Sequence, residues 1–269
     1  MAAATDSAGS GDLAGSAGPL LDARGLVKTY GHVQALDGAH FAVSEGEVVA
    51  LVGDNGAGKS TLVKCLSGAE TPDRGRIRFA GRDVSLSGPT AARRLGIETV
   101  FQDLALAPDL DPAMNLYLGR ELRRAGLLGR LGALDRRRMR AKATTAFREL
   151  GVELRSLRVP VAALSGGQRQ SVAVARAVAW ATKVVFMDEP TAALGVVQRG
   201  RVLDVIRRVR DRGVAVVLIS HNMPEVLSVA DRVEVLRLGR RVARFRAADT
   251  SLEELVGAMT GALRTEDAA

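Results

Sequence analysis

Apolar and polar positions along this chain follow two rhythms. GEVVALV (46–52), KVVFMDE (183–189) and GVAVVLIS (213–220) carry unbroken apolar runs, the mark of strands buried on both faces. GIETVFQD (96–103) reads as a fourth strand, and GRIRFAG (75–81) alternates like a half-buried one. RVEVLRLGRRVARF (232–245) reads as a hairpin around Leu238-Gly239. KSTLVKCLSG continues as a helix ended by Gly68 and then Pro72. A helix over 196–212 lies between two buried strands and makes a parallel crossover. Thr250 or Ser251 caps a final short helix, with Glu253 or Glu254 three residues later. From Leu21 to about Gly81 the pattern is short strands and turns with one helix. From Pro89 to about Pro160 it turns mostly helical and Arg-rich. The predicted fold is α/β, with a mainly parallel core sheet, an antiparallel β subdomain and an inserted helical subdomain.

Length fits this picture. A chain of 269 residues buries about 75% of its unfolded surface. With 47% hydrophobic and 3% aromatic residues, the core is built from Val, Leu and Ala. The single cysteine, Cys65, excludes an internal disulfide and fits a reducing compartment. No apolar run approaches 18 residues, so none is read as a bilayer span. The start of the chain lacks a signal-peptide pattern, and its Ala, Gly and Ser content reads as a disordered tail over 1–20. Net charge is +8, and Arg dominates. The densest stretch, Arg120 to Arg140, holds eight Arg and no interleaved aromatic. A solvated helix face, a membrane-proximal face and a nucleic-acid surface all remain open for it.

Chemistry enters with GDNGAGKST (53–61), which matches G-x-x-x-x-G-K-[ST] between a strand and a helix. Gly53, Asp54, Asn55, Gly56, Ala57 and Gly58 form a loop whose backbone N–H groups turn inward around phosphate oxygens. Lys59 reaches the terminal phosphates, the Ser60 hydroxyl is placed for Mg²⁺, and Thr61 completes the motif. This motif alone serves kinases, GTPases, helicases and transporters alike. LSGGQRQ (164–170) narrows the choice: Ser165, Gly166 and Gly167 open another helix, a second anion-binding N-terminus. Asp188 and Glu189 end a buried strand, and adjacent side chains there point opposite ways. They are therefore not one shared acid dyad.

With these motifs in this order, residues 21–249 resemble the ATP-binding cassette ATPases. The resemblance implies ATP and Mg²⁺ as cofactors. It makes Asp188 the metal-directed carboxylate beside Ser60, and Glu189 the general base that polarises the attacking water. Gln102 resembles the glutamine that contacts Mg²⁺ and the water while linking core to helical insertion. His221 resembles the histidine that contacts the γ-phosphate and pairs with the catalytic Glu. Leu164, Ser165, Gly166, Gly167 and Gln168 resemble the signature loop. Tyr30 resembles the aromatic that stacks on adenine, with core packing as its alternative. His32 and His40 read as structural, Cys65 as core, and Trp180 as packing at the end of the signature helix. The implied division is 1–20 tail, 21–102 ATP-binding core, 103–163 helical subdomain, 164–249 second part of the core, and 250–269 C-terminal helix and tail.

VFQDLALAPDLDPAMNLYLGRE, MDEPTAALGVVQ and SHNMPEVLSVADRVEVLRLGRR are similar to monosaccharide importers of the ribose, xylose and fructose type. Many of those fuse two cassettes, whereas the resemblance here covers one, as in fructose-type ATPases. The implied protein hydrolyses ATP as a homodimer, peripheral on the cytoplasmic face of the membrane. It would serve an integral membrane permease and, indirectly, an extracytoplasmic sugar-binding protein, with no nucleic acid. The sugar does not follow, because these ATPases do not bind it. One rival is a soluble cassette acting on nucleic acid or ribosomes, but neither tandem cassettes nor long coiled coils are seen. Another is a regulatory cassette, which would lose Lys59, Glu189 or His221. One position departs from the family: Gly195 stands where cassette ATPases commonly carry Asp. Lacking a Cβ, it is expected to allow conformations closed to Asp and to make no side-chain bond across the dimer interface.

Overall fold

The computed structural model describes residues 18–101, 103–152, 154, 156–192 and 194–263. The tail expected over 1–20 lies outside the described residues as far as 17, and Leu20 is already buried.

Two sheets form the frame. The first is antiparallel, in the order β2 (Val33–Val43), β1 (Leu21–Tyr30), β4 (Arg74–Phe79), β5 (Arg82–Val84). The second runs β10 (Arg240–Arg246), β9 (Arg232–Arg237), β3 (Val48–Val52), β8 (Ala215–Ile219), β7 (Val184–Asp188), β6 (Ile97–Val100). All its pairings are parallel except the β9–β10 hairpin. The β1–β2 strands are 10 and 11 residues long, not the short strands the sequence predicts. Gly25 lies at φ +62°, inside a register shift between Ala23 and Leu26. The glycine makes a bulge that the strand passes through. The strand expected over 96–103 is shorter, Ile97–Val100.

Period two explains why the apolar runs are continuous. Along β3, Val49 and Leu51 pack into a core between the two sheets, with Phe41, Ile77 and Phe186. Leu62, Val63, Cys65 and Leu66 of α1 (Lys59–Leu66) join this core. Val48, on the opposite face of β3, joins Val185, Met187, Val216 and Leu218 under the helices. Those helices are α3 (Pro112–Leu116), α5 (Arg136–Glu149), α6 (Gly166–Trp180) and α7 (Val196–Asp211). Each fully buried large side chain contributes about 1.5–3 kcal/mol, so either face alone is a substantial core. A third cluster joins α8 (Met223–Val229), α9 (Leu252–Thr260) and the β9–β10 hairpin. The choice left open at the last helix resolves to Ser251, which forms a capping box with Glu254.

Trp180 ends α6 and pins it to the helical region. Its indole N–H donates to the Leu116 carbonyl at 2.8 Å, its ring meets Tyr117 edge-on at 5.4 Å, and the Arg120 guanidinium lies 4.7 Å above it. Among the described residues, no helix is long and apolar enough to cross a membrane.

Candidate functional site

Parallel pairing brings the chemical residues together. Leu51 pairs with Ile219, and Ile219 pairs with Asp188. The C-terminal ends of β3, β7 and β8 therefore stand side by side, and the segments leaving them start with Gly53, Glu189 and Ser220-His221. Residues as far apart in the chain as Gly53 and Glu189 reach the same edge of the sheet only through this register.

The loop after β3 is shaped by glycines that nothing else could replace. Gly53 lies at φ +151° and Gly58 at φ +101°. A Cβ on Gly53 would fall 2.1 Å from the Leu236 carbonyl, and one on Gly58 would fall 2.5 Å from the Ala35 carbonyl. Gly56 also has positive φ. Asp54, Asn55 and Gly56 are exposed, while Ala57 is buried and anchors the loop. The Ala57 carbonyl accepts from the Gly239 N–H at 3.0 Å. Gly58 is the N-cap of α1 with no side-chain cap, so the first helical N–H groups stay available to an anion. The Lys59 ammonium curls back and donates to the Gly53 and Asp54 carbonyls at 2.7 and 2.9 Å. Burial lowers its pKa, against the pull of Glu189, Asp188 and Asp54.

The two carboxylates do diverge, though the pleat is only part of the reason. Asp188 is the last strand residue and is 7% exposed. Burial raises its pKa first and the Glu189 charge second; Lys59 and a hydrogen bond with Ser60 act against them. Glu189 leaves the strand at φ +50°, a left-handed conformation rare for a residue with a Cβ and a mark of strain. Its N–H donates to the Ile219 carbonyl at 2.9 Å, and its carboxylate Oε2 lies 2.9 Å from His221 Nδ1. Asp188 thus turns to Ser60 and Glu189 to His221. The His221 side chain is otherwise open to solvent.

Tyr30 ends β1 and is 41% exposed, which removes the core-packing alternative. Its hydroxyl lies near Thr61 of α1, and Lys28 Nζ sits 5.4 Å from its ring. Gln102 lies outside the described residues. The segment just after it does not. Leu104 and Ala105 both adopt positive φ, 60° and 44°. Arg176, from the middle of α6, holds both carbonyls at 3.2 and 2.6 Å. No local sequence signal marks Arg176.

Ser165 caps α6. Its hydroxyl accepts from Gln168 N–H, and the Gln168 side chain accepts from Ser165 N–H at 3.0 Å. Leu164 is buried behind the cap. Gly166 has open space around its Cα. The Ser165–Gln168 stretch opens on a cleft of about 630 Å³ shared with Val152, Gln198 and Val202. No described residue of the 53–61 loop lines that cleft. One chain therefore gathers the glycine loop, Asp188, Glu189 and His221, and displays the Ser165 helix start elsewhere.

Between these regions runs a loop that includes Thr191, Leu194 and Gly195. Thr191 donates to Glu225 Oε2 at 2.7 Å, Asn222 donates to Glu225 Oε1 at 2.8 Å, and Arg199 lies 3.6 Å from the same oxygen. Glu225 thus ties this loop to the helix that follows His221. Its signal was present in the sequence, since Asn222 and Glu225 have N-cap and N3 spacing. The reading of Gly195 needs correction. Its backbone, φ −70° and ψ 165°, is ordinary for any residue, so the glycine is not there for a conformation closed to Asp.

Sequence and structure comparisons show what the chain is similar to. The family model described as ABC transporter matches residues 36–192. The fructose import ATP-binding protein FrcA of Rhizobium meliloti is 52% identical over 91% of this chain and 95% of its own length. The xylose/arabinose import ATP-binding protein XylG of Sulfolobus acidocaldarius is 44% identical, over 90% of this chain and 94% of its own. A ribose import ATP-binding protein of Rubrobacter xylanophilus is also 44% identical, but the match spans only 47% of it. A solved ATP-binding subunit of an ABC transporter superposes with a TM-score of 0.73 at 26% identity, covering 90% of this chain and 99% of that one.

Proposed function

Since the chain belongs to the ABC transporter family, we propose that it is the ATP-hydrolysing subunit of a monosaccharide importer, acting on a separate membrane permease. One observation carries the reading: the Glu189–His221 pair at 2.9 Å stands at the ends of β7 and β8, with Asp188 closing β7 and the loop to Lys59 leaving the neighbouring β3. Importers are named among the similar proteins for fructose, xylose or arabinose, and ribose.

The residues take distinct roles. The loop N–H groups of 53–61 and Lys59 bind the β- and γ-phosphates, and Lys59 exchanges its two carbonyl partners for phosphate oxygens. Tyr30 stacks on the adenine ring. Ser60 and Asp188, close enough for Ser60 to lower the Asp188 pKa, offer hard oxygen ligands that suit Mg²⁺, with Gln102 as a third. Bound there, the ion would neutralise charge on the phosphates. Glu189 accepts a proton from water as the water oxygen attacks the γ-phosphorus and the bond to the β,γ-bridging oxygen breaks. The His221 Nδ1–H donates to Glu189, which fixes the tautomer and the direction of the carboxylate. Ser165–Gln168 of a second copy completes the site, because within one chain that helix start faces another cleft. Residues 21–102 and 164–249 then form the ATP-binding core and 103–163 the helical subdomain. The pair would sit on the cytoplasmic face of the membrane, with an extracytoplasmic binding protein delivering the sugar.

The test separates the two carboxylates. Glu189→Gln keeps the shape and removes the base, so phosphate release is expected to fall by about 100-fold or more while ATP still binds and a nucleotide-locked dimer accumulates on size exclusion. Asp188→Asn is expected to weaken Mg²⁺-dependent binding instead. Equal effects of the two changes on Mg²⁺ affinity refute this division of labour. Sugar uptake is tested with the permease and binding protein reconstituted in vesicles, where Glu189→Gln must abolish transport.

A further inference from the structure

The Arg-rich stretch is not a plain solvated helix face. Between Leu122 and Leu134 the chain folds into a closed tip around α4 (Leu127–Arg130). An isolated bridge joins Arg123 and Leu134. The Arg124 N–H donates to the Ala133 carbonyl and the Ala133 N–H to the Leu128 carbonyl, both at 2.9 Å. Gly129 is packed against the Arg124 carbonyl, where a Cβ would stand only 1.7 Å away. This is ordered backbone, yet it holds leucines outward. Leu127, Leu128 and Leu131 are 72%, 54% and 76% exposed.

Charge surrounds them. Arg123, Arg124, Arg130, Arg136, Arg137 and Arg138 are all exposed. Arg120 and Arg140, at the ends of the stretch, are engaged with Glu98 and Asp111. The six in between form no ion pair within 4.0 Å among the described residues. No acidic residue lies between Leu122 and Leu134. The flanking acids serve the backbone: Glu121 accepts from the Gly119 N–H and Asp135 caps α5 through the Arg138 N–H. Glu121 also stands close enough to Arg123 to feel its charge.

Three exposed leucines ringed by single-sign charge match one partner chemistry. Apolar side chains enter the boundary between headgroups and acyl chains while arginines meet phosphates, as interfacial amphipathic segments do. We propose that the 122–138 tip rests in the anionic lipid surface of the membrane, where Leu127, Leu128 and Leu131 insert and the arginines bind lipid phosphates. Each arginine contributes about fivefold to partitioning. One tip binds reversibly, and the two tips of a dimer multiply the effect.

The experiment uses the full chain with vesicles of 30% phosphatidylglycerol in phosphatidylcholine, and with pure phosphatidylcholine, in ~150 mM salt. The wild type is expected to float with the anionic vesicles and not the neutral ones. Arg123→Gln, Arg124→Gln and Arg130→Gln together are expected to lower partitioning by about 100-fold. Leu127→Ser, Leu128→Ser and Leu131→Ser together are expected to lower it at least tenfold. Arg76→Gln, Arg82→Gln and Arg246→Gln, which remove equal charge elsewhere, should change it less than about threefold. ATP hydrolysis without lipid should be unchanged in all three. Equal binding to neutral vesicles, no binding by the wild type, or equal loss in the distant arginine variant overturns the proposal. So does a leucine variant that binds vesicles normally but no longer copurifies with the permease, which would make the tip a protein-docking face.

Discussion

Placing Asp at position 195 tests how the loop before α7 is built. Gly195 is the N-cap of a 16-residue helix and offers its N3 N–H no side-chain acceptor. Its backbone, φ −70° and ψ 165°, nearly coincides with that of Asp111, φ −70° and ψ 163°, which caps α3 through the Met114 N–H. It also lies close to Ser165, φ −63° and ψ 159°. An Asp there needs no backbone change. Its Cβ would meet only the Gln198 Oε1 at 2.8 Å, the far end of a flexible side chain that swings aside. The carboxylate then accepts from the Gln198 N–H. Asp in place of Gly at an N-cap gains a few tenths of a kcal/mol, and a negative charge on the helix dipole adds about 0.3–1. Gly195→Asp is therefore expected to stabilise the fold by about 0.5–1 kcal/mol, or about 1–4 °C in melting temperature. Calorimetry and urea unfolding of the nucleotide-free protein measure it. Hydrolysis should change by less than about 10-fold, below about 1.4 kcal/mol in barrier, since Glu189, Asp188 and His221 are untouched. A loss of about 1 kcal/mol or more refutes the capping argument. A wild type without turnover, rescued by Gly195→Asp, would refute the reading of the site as competent.

Three other outcomes follow from the same geometry. Lys59→Ala removes the one ammonium held at the glycine loop, so nucleotide titration should show weakened ATP binding and phosphate-release assays no turnover; normal turnover would sink the phosphate-loop assignment. Arg176→Ala frees two carbonyls in left-handed backbone and is expected to cost about 1–3 kcal/mol of stability, with kcat falling more than ATP affinity and Arg176→Lys restoring part of it. Unchanged kcat would make the clamp structural only. Cys65 is fully buried, and burial pushes its thiol pKa up to about 11; at pH 8 only about one thiol in a thousand is ionised. Maleimide labelling should track global unfolding, and its rate in urea should follow the unfolding curve.

The sequence by itself determined the strands, the helix starts and the order of the motifs. Continuous apolar runs mark β3, β7 and β8 because both their faces are buried, and G-x-x-x-x-G-K-[ST] marks the loop because only glycine tolerates φ +101° beside the Ala35 carbonyl. The length of β1 and β2 was hidden, since no local pattern shows that the strand passes through Gly25 as a bulge. What Gly195 does was hidden too: a residue name does not carry its φ and ψ. Tertiary structure alone decided which groups meet. The pairings Leu51 with Ile219 and Ile219 with Asp188 bring Gly53, Glu189 and His221 to one row, and no local pattern encodes the pairing of strands so far apart in the chain. Arg176 belongs to the same class. Its spacing on α6 is that of any half-buried helical residue, and its role exists only because the loop at Leu104 and Ala105 passes beneath it. Local propensity writes elements and turns; contacts across long sequence separations, selected by the burial of whole faces, write the site.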